Sequence, residues 1–270
     1  MIQHYLHVSA FTRIAGGGNS AAVVQLAKWP TDERLSELAR AIALPVTSVI
    51  VHSTEGFELR WLSRSGSFVQ SMCGHGTLAA SLAVSLAHPN LATFRFITPG
   101  GVVSVERKGD EFRLALPRWE SFAREPWPEL SEALGLDPSE VLDAGRDTLA
   151  VFRSENDVRN LRPDMEKLRK LGHRGFIATA PGLNYDCVSR FFCPTFGLGV
   201  DEDPVTGSAH CAIAPLWASR LKKQTLRALQ ASFEQGELTC EVGDSAVTIT
   251  ACAVLRSREE IELYTPTQAP

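Results

Sequence analysis

The sequence predicts an α+β fold made of two similar halves, and three observations lead there. The stretch Gly199-Val200-Asp201-Glu202-Asp203-Pro204-Val205-Thr206-Gly207-Ser208-Ala209-His210 runs three acids into a turn, and a mostly apolar helix follows to about Lys222. Met72-Cys73-Gly74-His75-Gly76-Thr77 also runs into an apolar helix, Leu78 to about Ala87. The flanks then repeat. Positions 206 and 73 differ by 133, the strand pieces Arg190-Phe191-Phe192 and Arg60-Trp61-Leu62 by 130, and the hairpin openers Gly236 and Gly101 by 135. Gly-Asp turns follow in both halves, at Gly109-Asp110 and Gly243-Asp244. Anchors at nearly one spacing point to an internal duplication.

A Gly-Ser step into a helix leaves several N–H groups unpaired and aligned. With the helix dipole they make a seat for an anion such as a carboxylate. An Asp- or Ser-capped helix accounts for one such string. Two copies would place two helix starts face to face across a cleft, with Asp203 beside them as a candidate proton carrier.

Taken in order, Tyr5–Phe11 reads as a strand, Gly16-Gly17-Gly18-Asn19 as a turn, and Ala21–Val24 as the next strand. The glycine run lacks the Lys-Ser/Thr of a phosphate loop and no helix follows it. Thr31-Asp32-Glu33 caps a helix whose Leu35, Leu38, Ala39 and Ile42 share one face. Pro45 ends it. Ser48–His52 and Phe57–Leu62 are strands; Ser63–Ser71 is irregular. The helix after His75 has only Thr77, Ser81 and Ser85 as polar residues, so it should be buried inside a sheet. Phe94–Thr98, Val102–Arg107 and Phe112–Leu116 alternate as strands. Pro117–Pro128, with three prolines and two tryptophans, marks the junction between halves.

The second half reads as short helices over Pro128–Leu134 and Pro138–Leu142, a strand over Leu149–Arg153, and a helix from Pro163 to Leu171 closed by Gly172. Strands follow at Phe176–Ala180 and Cys187–Phe192. Pro215 should kink the helix after Ser208. The last strands are Leu226–Phe233, Leu238–Val242, Ala246–Val254 and Glu260–Tyr264. The boundaries that result are 1–118, 119–258, and a final strand within 259–270 returning to the first half.

Bulk properties narrow the function. In 270 residues, 44% are hydrophobic and 21% charged, the balance of a soluble globular protein. A net charge of −4 gives no footprint for nucleic acid. No apolar run is long enough to span a membrane, and no secretory signal is expected at Met1–Tyr5. Six cysteines without a C-x-x-C pair read as reduced thiols, mostly core residues, in a cytoplasmic protein. Cys73-x-His75 and His210-Cys211 have no partner pairs, so no metal site is expected.

Three motifs occur in order: Gly18-Asn19-Ser20-Ala21-Ala22-Val23-Val24, Cys73-Gly74-His75-Gly76-Thr77, and Glu202-Asp203-Pro204-Val205-Thr206-Gly207-Ser208. Together they resemble the phenazine-biosynthesis PhzF-like isomerase family, within the diaminopimelate epimerase-like fold. The resemblance covers essentially the whole chain. It implies two pseudo-symmetric halves, each a curved, mostly antiparallel sheet wrapped around a central helix, with the active site between them. It implies cofactor-independent proton transfer on a small carboxylate-bearing metabolite, and a homodimer as a family-level expectation. It implies that His75 and Asp203 hold or shuttle the proton, assisted by Ser208. Gly74, Gly76, Thr206 and Gly207 would bind substrate, and Asn19 would approach it.

The sequence departs from the pattern in two places. The family's catalytic glutamate falls on Val46, which cannot take a proton, and the loop Arg64–Gln70 is about two residues longer than usual. Cys73 then offers a base, because a helix start favours thiolate, and the matching position in proline racemase-like enzymes is a catalytic cysteine. Their second cysteine falls on Thr206. Three readings follow: an isomerase, a lyase-type dehydratase with Cys73 as base, or a binding protein that keeps the pocket without catalysis. Asp201 and Glu202 read as solvated or capping, and His210 as a ligand contact or a packed residue.

Overall fold

The computed structural model describes residues 2–70, 72–195 and 200–262. Met1, Ser71, Gly199 and Tyr264, named above, lie outside them. The first half runs β1 (Ile2–Ala10), β2 (Asn19–Leu26), α1 (Asp32–Ile42), β3 (Val46–Ser53), β4 (Gly56–Ser63), α2 (Gly74–Ala87), β5 (Thr93–Thr98), β6 (Gly101–Lys108) and β7 (Glu111–Pro117). The second begins with β8 (Phe122–Ala123), α3 (Pro128–Leu134), β9 (Glu140–Ala144), β10 (Asp147–Val151), α4 (Glu155–Asn160) and α5 (Met165–Lys170). It continues with β11 (Phe176–Pro181), β12 (Cys187–Phe192), β13 (Glu202–Asp203), α6 (His210–Leu221), β14 (Thr225–Gln230), β15 (Gly236–Val242) and β16 (Ala246–Glu262).

Strand pairing repeats between the halves. From β1 to β7, successive pairs are antiparallel, parallel, antiparallel, parallel, antiparallel and antiparallel. Along β9, β10, β11, β12, β14, β15 and β16 the senses follow the same order. The central helix falls between the matching strands each time, α2 after β4 and α6 after β12. This is the duplication that the spacing of Cys73 and Thr206 predicted.

β16 joins the halves. Its Ala246–Cys252 portion pairs with β7, and Ala253–Glu262 pairs with β1. The first half is thereby closed into a ring of strands around α2 with no free edge. The separate strands expected over Ala246–Val254 and Glu260–Tyr264 are one continuous strand as far as Glu262. No break falls at 258/259, because β1 holds the polar run Ser257-Arg258-Glu259 in register.

α2 is buried along most of its length because its small residues let the sheet close on it. Leu78 and Val84 have no exposed surface, and each contributes about 1.5–3 kcal/mol by burial. α2 and α6 share one apolar core that spans both halves. α1 covers the outer face of the first half with Leu35, Leu38 and Ala39. α3, α4 and α5 cover that of the second.

Two further expectations are corrected. The helix expected over Pro138–Leu142 is replaced by β9, because Val141 and Leu142 bury their side chains while pairing with β10. α4 went unread, although Ser154 and Asp157 form a reciprocal capping box at its start.

Candidate active site

Two chain turns with matching backbone set the geometry. Cys73 precedes α2 with φ −111° and ψ 99°; Thr206 precedes the 3-10 turn Gly207–Ala209 with φ −114° and ψ 96°. Neither side chain caps its helix. The N–H groups of Gly74, His75, Gly207 and Ser208 have no protein acceptor among the described residues. The helix starts meet closely: a Cβ placed on Gly74 would lie 3.6 Å from the Gly207 Cα. Cys73, Gly74, His75, Asp203, Thr206, Gly207 and Ser208 line one cleft, together with Val69, Met72, Arg146 and Arg174.

Asp203 sits on β13, a short strand held against β12. It is 5% exposed. Its Oδ1 accepts from Asn19 Nδ2 at 2.7 Å and its Oδ2 from Thr206 Oγ1 at 2.6 Å. Gln230 pins the loop, donating from Nε2 to the Asp203 carbonyl at 2.7 Å and accepting from the Thr206 N–H at 2.8 Å. Burial pushes the Asp203 carboxyl up to about 6, against the opposing hydrogen bonds from Thr206 and Asn19. That places a proton carrier near neutral pH.

On the facing side, His75 Nδ1 lies 3.7 Å from Cys73 Sγ. Burial holds the imidazole down to about 4, so His75 is neutral at pH 7. Its Nε2 is buried without a hydrogen-bond partner. Cys73 does not behave as a helix-start thiolate. Burial pushes the thiol up to about 12; the Gly76 N–H lowers it, and the Asp203 charge raises it further. That favours the thiol at neutral pH and works against the expectation of Cys73 as base.

Asn19, Gly76, Glu202 and Asp201 differ from expectation, and His210 is the packed residue of its two readings. Asn19 is fully buried behind Asp203 and donates from Nδ2 to both Asp203 and the Val205 carbonyl, the latter at 2.9 Å. It positions the acid and does not line the cleft. Gly76 is packed beneath the site, where a Cβ would come within 2.6 Å of Trp61 Cδ1. Its carbonyl accepts from Ser48 Oγ at 2.9 Å, so its role is packing. His210 is fully buried, and its Nδ1 donates to the Thr206 carbonyl at 3.0 Å. Glu202 makes two bonds to Arg190, at 2.8 and 2.7 Å, and Asp201 pairs with Arg169 at 2.6 Å, so neither is a cap or simply solvated. Val46 is buried at the start of β3, in register with Ala21 and Ser63.

Sequence reasoning missed Arg146, Arg174 and Gln230. Arg174 makes two 2.9 Å bonds to the buried Asp147. Gly175 beside it has no room for a side chain, since a Cβ would lie 2.3 Å from Phe191 and 2.8 Å from Asp147 Oδ1. No motif marks these residues; the short Gly145-Arg146-Asp147 turn is the only local signal. A wider groove lined by Arg13, Tyr185, Arg227 and Phe233 lies elsewhere. Two of its three acids, Glu111 and Glu237, are engaged by Arg13 and Tyr185, and no helix start lies among its lining residues. The narrower cleft is where amides and a proton carrier converge.

Comparison with known proteins gives the family and the fold. The sequence profile of the family described as "Phenazine biosynthesis-like protein" matches residues 8–258. An uncharacterized isomerase of Pseudomonas aeruginosa is 39% identical over 257 residues, covering 95% of this chain and 97% of that protein. The crystal structure of a PhzF-family phenazine biosynthesis protein from Enterococcus faecalis superposes with a TM-score of 0.91 at 34% identity, covering 97% of this chain and all of that one. A predicted epimerase from Pseudomonas aeruginosa, at 17% identity and a TM-score of 0.70, shares the fold. The chain belongs to the PhzF-like, phenazine biosynthesis-like family of isomerase-type proteins with an epimerase-like fold.

Proposed function

We propose that this protein is an isomerase that moves a proton at the carbon beside a carboxylate, without a cofactor. The observation that carries this reading is the buried Asp203 carboxyl facing two uncapped helix starts in one cleft. A substrate carboxylate seats on the amides of Gly74, His75, Gly207 and Ser208, where anion binding needs no side-chain charge. Those amides also stabilise the enolate-like charge that builds as the α-proton leaves. Asp203 takes that proton. His75, neutral and with one ring nitrogen unpartnered, hydrogen-bonds the substrate on the facing side, and Asp203, protonated by the first transfer, returns the proton to the neighbouring carbon. Ser208 assists at the lip of the cleft. With valine at position 46, Asp203 does the work that the glutamate does in the family pattern.

The lyase reading rests on a Cys73 thiolate, and burial works against it. The binding-protein reading shares the cleft but predicts no exchange. Incubating a panel of small carboxylic metabolites with the protein in D₂O, followed by NMR and mass spectrometry, separates them. Deuterium at a carbon-bound position without loss of water supports the isomerase, and release of water supports the lyase. Binding without exchange across the panel would sink both catalytic readings.

A further inference from the structure

We propose that Arg146 is a second anion station in the cleft and that the substrate is a diacid, carrying one carboxylate to the helix starts and another to this guanidinium. The inference rests on the isomerase reading and adds the substrate class. Arg146 follows the left-handed Gly145 in the turn between β9 and β10. It lines the same cleft as Gly74, His75, Asp203 and Ser208. Its guanidinium lies 4.4 Å from the Trp119 ring centroid. Among the described residues it makes no hydrogen bond or ion pair. That leaves its donor edge unused, while stacking on a ring fixes the plane in which a carboxylate could be held by two parallel bonds.

The neighbouring cation has a different task. Arg174 spends two donors on Asp147, which pins it. Burial disfavours the Arg146 charge and Arg174 repels it; Asp147 compensates only in part. Among the described residues, Asp203 is the one acid lining the cleft, and it is already held by Asn19 and Thr206. A cation lodged beside another, with no carboxylate of its own in the cleft, is satisfied by an acid that arrives with the ligand. A substrate with one carboxylate would fill the helix-start seat and leave Arg146 unpaired.

The test uses isothermal titration at pH 7.5 with matched pairs: succinate against succinamate, and glutarate against glutaramate. Each pair differs only in whether the second group is charged. At least one diacid is expected to bind about tenfold or more tightly than its monoamide, the value of a charge-assisted hydrogen-bonded contact. In Arg146→Gln that preference falls to about twofold or less, and a cooperative thermal transition shows that the variant is folded. Arg146→Lys keeps the charge but loses the planar fork, and retains part of the preference. Equal binding of diacid and monoamide in the unmodified protein, or a preference that survives Arg146→Gln, overturns the inference and leaves the isomerase reading standing. Failure of every diacid and monoamide to bind counts against the helix-start seat as well.

Discussion

Gly74 and Gly207 are the two points at which the halves of this protein touch tip to tip. A Cβ on Gly74 would meet the Gly207 Cα at 3.6 Å, and one on Gly207 would meet the Gly74 Cα at 3.7 Å. The near-equality reflects the duplication: equivalent residues of two copies occupy equivalent places about a shared cleft. The environments are not equal, however. A methyl group on Gly207 would also come within 3.1 Å of Phe11 Cζ, whereas one on Gly74 clears that ring at 3.9 Å.

Gly207→Ala should therefore destabilise the fold by about 1–3 kcal/mol as Phe11 is pushed aside. Gly74→Ala should stay within about 1 kcal/mol of the parent. Urea unfolding of both variants measures the difference. Equal losses would mean that the two tips are equally constrained.

The acid depends on its clamp. Asn19→Ala removes one of the two side-chain donors to the Asp203 carboxylate, and a carboxylate with fewer donors titrates higher. Its titration midpoint should move above 6, and stability should fall by about 1–3 kcal/mol because Asp203 and the Val205 carbonyl each lose a partner. NMR titration of the Asp203 carboxyl carbon in both proteins reads the shift. An unmoved or lower midpoint would show that Asn19 does not hold the charge.

How much of this was legible in the sequence follows from where the information resides. The two helix starts, Asp203 and the repeat were readable because glycine-rich turns before apolar helices are local patterns. Asn19 was found by motif but misplaced, because its contact with Asp203 spans 184 positions. Arg146 and Arg174 carry no motif beyond the short Gly145-Arg146-Asp147 turn; the second half's sheet brings them to the cleft. β9 was read as a helix because Pro138 resembles a helix start, and only its pairing with β10 decides against that. For Cys73 the sequence shows the helix start but not the burial that raises its thiol.

Burial of Asp203 has a consequence for stability. Its folded-state value, about 6, lies above the ordinary 3.8. The folded protein therefore holds this proton more tightly than the unfolded chain. That contribution is fully present below about pH 4 and is lost as pH rises through 6. Asp203→Asn, which cannot ionise, should gain on the parent between pH 4 and 7 by up to roughly 3 kcal/mol. Denaturant melts at pH 4, 5, 6 and 7 give the difference curve. A flat curve would place the carboxyl in a more hydrated setting.

The cysteines should be inert. All six are buried, and burial raises the Cys73 thiol to about 12. Reactivity follows thiolate. Native protein at pH 7.5 should resist iodoacetamide for hours, while denatured protein labels six times. Peptide mapping that finds Cys73 alkylated within minutes would restore the thiolate base and with it the dehydratase reading.

Deuterium uptake into the α-carbon of the best-bound small acid, followed by NMR from pH 4.5 to 8.5, addresses Asp203 most directly. The rate should rise through a midpoint near 6 as the Asp203 carboxylate forms, and Asp203→Asn should lower the plateau by about a hundredfold or more. A rate that ignores pH across this range, or an Asp203→Asn protein that exchanges as fast as its parent, would contradict the assignment of that carboxyl as the base.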